Sequence, residues 1–115
     1  RLKATQEDAR TDHVITLRSG GREIRLPAHE ILSASAAGNY VEVRTPGGVH
    51  LARMTLTRLI SLLQAADADP VRLHRSHMAS RAALRELIPT GDGDAEARLS
   101  DGQTLPVSRG YRASI

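Results

Sequence analysis

The stretch "NYVEVRTPGGVHLARMTLTRLISLLQAA", Asn39 to Ala66, decides the fold. Its first half repeats every two residues. Tyr40, Glu42 and Arg44 fall on one side, and Val41, Val43 and Thr45 on the other, as in a strand with one face in a core. "PGG" at Pro46–Gly48 makes a turn, and "VHLARM" at Val49–Met54 alternates back, so the pair reads as a hairpin. Then the period changes. Thr55 suits a helix N-cap, and Leu56, Leu59, Ile60 and Leu63 follow at the spacing of one helical face. A single helix is expected over about Thr55–Ala66, ended by "DADP".

Outward from this unit the chain keeps producing short strands. "DHVITLR" and "REIRL" flank "SGG" at Ser19–Gly21, a second hairpin that Pro27 stops. "EILSAS" at Glu30–Ser35 reads as a strand, as does "VRLHR" at Val71–Arg75. "SHMASRAA" at Ser76–Ala83 fits no period. "LRELIPT" and "AEARLS" are strands joined across "GDGD" at Gly91–Asp94, and Asp101–Gly102 is a strong hairpin turn before "QTLPVS". "RGYRASI" ends the chain, with room for a helical turn. Residues 1–11 are polar and aperiodic and read as a linker or frayed start, leaving 12–115 as one mainly β domain.

Composition narrows the chemistry. The 115 residues contain no cysteine, which removes disulfides, thiolate metal sites and cysteine nucleophiles. No signal peptide is visible in these residues, and no apolar run is long enough to span a bilayer. Because the first residue is Arg1 rather than Met, a piece of a longer protein is expected. The net charge is +3 and the pI about 10.2, and all but one of the cationic side chains are arginines. An arginine fork bonds phosphate or guanine two-pronged, whereas lysine is a point charge. With only Tyr40 and Tyr111 as aromatics, a stacking platform for single strands is disfavoured.

Three chemistries compete for "VRLHRSHMASRAAL" at Val71–Leu84. His74 and His77 are three apart, yet His13, His29 and His50 supply no third metal ligand at a recognised spacing and HExxH is absent. Ser76 lies between two histidines, yet no GxSxG elbow exists. Asp92 and Asp94 lack the remaining ligands of a calcium loop and read as turn residues. Neither metal, cofactor nor catalytic residue is therefore expected. What remains is recognition by polar loops on a rigid sheet, in "AAGNY", "HRS" and "VSRGY".

Those segments, in this order, resemble the LytTR DNA-binding domain family of bacterial response regulators. The resemblance rests on Ala36-Ala37-Gly38-Asn39-Tyr40-Val41, Arg53-Met54-Thr55-Leu56, Arg72-Leu73-His74-Arg75-Ser76 and Asp101-Gly102 with Leu105-Pro106-Val107-Ser108-Arg109-Gly110-Tyr111. It covers about residues 13–112. The chain departs from the family at Val71, where an aromatic is usual, at Ser80, usually Asn, and at Ser35, usually Glu.

The resemblance implies an elongated set of small antiparallel sheets with one main helix. Loops and strand ends, rather than a helix, enter successive major grooves. By position it implies base contacts from Asn39, Arg75 and Arg109, with lesser, phosphate-directed roles for Arg44, Arg53, His74, Ser108 and Arg112. The chemistry of those side chains agrees, since Arg can grip guanine and Asn adenine with two hydrogen bonds. In the "HRS" segment, His74 and Ser76 are expected to fix the turn that presents Arg75. The implied partner is double-stranded DNA, as paired promoter repeats that a homodimer could occupy. The implied parent is a cytoplasmic or membrane-anchored transcriptional regulator carrying a receiver or sensor domain. The alternative reading is an Arg-rich module that binds an acidic protein.

Overall fold

A computed structural model describes residues 13–113 and residue 115; the expected linker at 1–11 lies outside them. Ten strands form three antiparallel sheets. Strands β1 (Val14–Ser19) and β2 (Arg22–Pro27) make a two-stranded hairpin. Strands β3 (Ser33–Ala37), β4 (Tyr40–Thr45), β5 (Gly48–Ala52), β6 (Pro70–His74) and β7 (His77–Ser80) form a five-stranded sheet in the order β5-β4-β3-β7-β6. Strands β8 (Leu84–Gly91), β9 (Asp94–Leu99) and β10 (Thr104–Val107) form the third sheet, with β9 in the middle. Helix α1 (Leu56–Ala65) and the one-turn helix α2 (Arg109–Arg112) complete the fold, whose extents are 48 × 38 × 23 Å.

Helix α1 starts and stops by local chemistry. The Thr55 hydroxyl accepts the Arg58 backbone N–H at 3.0 Å, satisfying one of the free donors of the first turn. At the other end Asp67 takes a left-handed φ of 62°. Its N–H donates to Gln64 O and that of Ala68 to Leu63 O, the paired bonds of a Schellman motif. Leu56, Leu59 and Leu63 are buried and Ile60 half-buried, so the expected stripe is the packed face.

The five-stranded sheet is sandwiched between two cores. On one face Ala34, Val41, Val43, Ala52 and Met78 meet the α1 stripe and Ile15 and Leu17 of the β1 hairpin. On the other, Val71, Leu73 and Ala79 meet Ala95, Ala97, Leu99, Leu105 and Val107 of the third sheet. Gln103 bridges these two sheets by donating its side-chain N–H to the buried Ser33 hydroxyl at 2.7 Å.

Three sequence readings change. "SHMASRAA" contains β7, the strand between β3 and β6. Its Met78 and Ala79 are both buried because each faces a different core, so no polar alternation marks it. The strand expected from Glu30 begins only at Ser33, because Ala28–Glu30 is a 3-10 turn that drops Ile31 into the core. Pro27 is still paired with Val14 as the last residue of β2.

Candidate nucleic-acid interface

Strand direction collects five connections at one end of the molecule. Ala37 and Tyr40 are opposite each other across the Gly38–Asn39 turn, and Val41 is opposite Ala52, which brings the β5–α1 connection beside that turn. Ser35 pairs with His77, and the Ala36 N–H donates to Ser76 O at 2.8 Å, which docks the β6–β7 turn on the same end. The Ser108 N–H donates to Leu73 O at 3.0 Å, seating the start of α2 against the end of β6. The β8–β9 turn, Asp92–Gly93, lies against Arg109.

Each turn has its conformation for a reason. Gly38 has φ 64° while Asn39 follows in an ordinary region, the pattern of a type II′ hairpin turn with Gly first. Asn39 is thereby exposed in a shallow depression with Arg53, Met54 and Thr55. Asp92 and Gly93 are both left-handed, at φ 56° and 86°, as a type I′ turn demands.

Arg75 sits at the tip of the β6–β7 turn and is exposed. Below it, a β-bulge between Arg72 and His74 re-aims the strand, and Leu73 stays in the core. His74 pairs with His77 across the strands, and its Nδ1 accepts the Ser76 backbone N–H at 3.1 Å. The expectation that His74 and Ser76 fix this turn is met. His77 Nδ1 is hydrogen-bonded to Ser35 Oγ at 2.7 Å. Burial, and then the neighbouring His74 ring 5.4 Å away, hold the His77 pKa below its ordinary value.

Arg109 opens α2. Its backbone N–H donates to Asp94 Oδ1 at 2.9 Å, and its side chain crosses directly above Gly93. Arg112, one turn on, is half-buried and donates to Gly93 O at 3.4 Å. Ser108 is the half-buried N-cap residue, without a side-chain capping bond.

Seven of the eight expected site residues therefore meet at this end: Asn39, Arg53, His74, Arg75, Ser108, Arg109 and Arg112. Arg44 does not. It lies toward the far end of β4, four residues from Tyr40 and so about 13 Å away, with its Nε 4.0 Å from Asp101 Oδ2. Alternation along a strand shows which face a side chain takes, but not which end of the sheet matters. Arg81 is also elsewhere, bonded to Asp69 at 3.0 Å. Among the described residues, the ion pairs involve none of Arg53, Arg75, Arg109 and Arg112. No group of three or more His, Asp or Glu among those residues could hold a metal. No described helix is long and apolar enough to cross a membrane.

Sequence reasoning passed over two contributors. Arg72 turns its guanidinium onto the β6–β7 turn, and the Gly93–Asp94 corner holds Arg109. "GDGD" showed a turn, but nothing in the sequence linked it to a residue fifteen positions later.

Comparison with known proteins agrees with this fold. The profile of the LytTr DNA-binding domain matches residues 21–115. The sensory transduction protein LytT of Bacillus subtilis (strain 168) is 23% identical over 114 residues; the match takes in 99% of this chain and 46% of that protein, so the chain spans less than half its length. The solved LytTr DNA-binding domain of a methyl-accepting/DNA response regulator from Bacillus cereus superposes with a TM-score of 0.75 at 20% identity, over 88% of this chain and 91% of that one. With the motif order, the sheet arrangement and a profile match over most of its length in agreement, the chain belongs to the LytTr DNA-binding domain family.

Proposed function

We propose that this domain reads double-stranded DNA in a sequence-dependent way, with Asn39, Arg75 and Arg109 at base edges in successive major grooves. The observation that carries the reading is the convergence on one end of the fold of two turns and the start of α2, each offering one exposed side chain suited to a base edge. Arg75 and Arg109 match the acceptor pair of guanine, and Asn39 matches adenine. Arg53 and Arg112 flank them as phosphate contacts, which set register without reading sequence. His74 and Ser108 support the turns from beneath. Arg44 is not part of this face. Helix α1 turns its apolar stripe to the core.

Within a longer regulator the domain would act as the output module of a two-component system, placed on paired promoter repeats by two copies of the chain. Selection of bound sites from a random duplex pool tests the reading. A recovered consensus, bound at least about a thousandfold more tightly than scrambled duplex, is the expected result. Recovery of no consensus, with salt-sensitive binding to an acidic protein instead, would assign the same arginines to a protein partner.

A further inference from the structure

Arg72 is a cation at the reading end whose every guanidinium nitrogen is already engaged. Nε donates to His74 O at 3.3 Å, Nη2 to Arg75 O at 2.6 Å, and Nη1 to Thr57 Oγ1 at 3.0 Å. The guanidinium carbon also lies 5.9 Å from the centre of the Tyr111 ring. One planar fork therefore ties together the turn that carries Arg75, the first turn of α1, and α2, which begins at Arg109. Arg72 reaches this point because it pairs with Met78 on the α1 face of the sheet, just before the bulge that turns His74 to the other face.

From this arrangement we infer that Arg72 is a positioning residue for DNA reading: it sets the Arg75 backbone relative to Arg109 and itself touches neither base nor phosphate. The inference rests on the proposed DNA reading and deepens it. A two-carbonyl grip needs donors in a fixed plane. Lysine keeps the charge but brings a single compact ammonium, so it cannot hold both carbonyls and Thr57 together. The bond to Arg75 O, at 2.6 Å, is the shortest of the three. A 1 Å displacement of the turn would move Arg75 out of register with a base edge, while phosphate contacts made by long, flexible side chains would adapt.

The test compares the 115-residue chain with its Arg72→Lys and Arg72→Met variants on selected and scrambled duplexes across a salt series. Amide hydrogen exchange is followed at Ser76 and Ala36. The expected result is a preference for the selected duplex that falls about tenfold or more in both variants. Scrambled-duplex affinity and the salt slope should stay as in the wild type, and both amides should exchange faster. A slope shallower by about 0.9, with both duplexes weakened alike, would make Arg72 a phosphate contact and overturn the inference. Preference restored by Arg72→Lys would overturn it as well, since charge alone would then suffice. Should Arg72→Met fail to fold, Thr57→Val removes one of the three bonds and must still lower the preference. A wild-type chain with no preference for any duplex sinks the DNA reading itself, whereas a wild-type preference that the variants keep sinks only the role of Arg72.

Discussion

A Cβ built on Gly93 would lie 2.6 Å from Cδ of Arg109 and 2.7 Å from its Cγ. These atoms are the stem of the side chain, so Arg109 can relieve the overlap only by leaving its rotamer. Gly93→Ala should therefore lower discrimination between selected and scrambled duplexes, and its left-handed φ should cost about 1–3 kcal/mol of stability as well. Gly102→Ala is the control. Gly102 has φ 91°, close to the 86° of Gly93, and nothing lies within 4 Å of its added Cβ. Competition binding and thermal melting of both variants should show similar destabilisation, with lost reading only for Gly93→Ala. Equal discrimination in the two would remove the β8–β9 corner from the recognition face.

Asn39, Arg75 and Arg109, all exposed, should behave as readers. Arg75→Ala and Arg109→Ala should each weaken binding to the selected duplex by about 1–3 kcal/mol and weaken scrambled duplex much less. Asn39→Ala should do the same, but Asn39 also sits in a tight turn after Gly38, so its melting temperature belongs beside its affinity. Full affinity and full discrimination in both arginine variants would discard the assignment.

Which parts of this were legible beforehand follows from burial. The β4–β5 hairpin and α1 each bury one face, so their periods were plain in Asn39–Ala66. β7 was not legible, because Met78 and Ala79 serve opposite cores. The bulge before His74 also broke the alternation that would have paired β6 with it. Site residues at loop tips were named through family resemblance, and the strand register then brought seven of them to one end. Arg44 was grouped with them through the same resemblance, and only the strand register places it at the far end of β4. Arg72 escaped notice for a related reason. Nothing in a string of arginines tells a free fork from one already bonded to three partners.

Leu59 is fully buried in the center of the α1 stripe, between Leu56 and Leu63. Leu59→Ala should cost about 2–5 kcal/mol of folding stability, the transfer term plus the cavity left behind. Urea denaturation measures it. Under conditions where the variant remains folded, its preference for the selected duplex should persist. A variant that melts normally yet loses DNA binding would move α1 into the recognition face.

Stability should fall on mild acidification, and His77 should account for part of the fall. In the unfolded chain His77 takes a proton near its ordinary value of 6.5, and in the fold only at lower pH, because burial and then His74 oppose the charge. Between those points the unfolded chain binds more protons, so stability declines as pH drops through the ordinary value and levels off below the folded one. Ser35 Oγ is hydrogen-bonded to His77 Nδ1, and Glu42 lies beyond Ser35 in the same cross-strand row. Urea midpoints at about pH 7.5 and about pH 5.5 should differ more for the wild type than for His77→Gln. Equal differences would place the pH sensitivity in other groups.

Salt dependence tests where the charge acts. A net charge of +3 is small for a DNA-binding domain, but counterions are released only where cations meet phosphates. Arg53, Arg75, Arg109 and Arg112 share the reading end, and Asp94 there is already engaged by the Arg109 N–H. With Arg53 and Arg112 as the phosphate contacts, log K should fall against log salt with a slope of about −2. Arg53→Ala should make that slope shallower by about 0.9 and weaken all duplexes alike. Arg44→Ala should leave it unchanged, because Arg44 stands at the far end of β4 beside Asp101. Arg75→Ala should flatten the preference between sequences with little change of slope. An acidic protein partner would also give salt-sensitive binding, so the decision lies in the contrast among these three variants on matched and scrambled duplexes. If Arg44→Ala shifts the slope as much as Arg53→Ala does, the phosphate-facing surface runs along the whole sheet, and the one-ended interface is wrong.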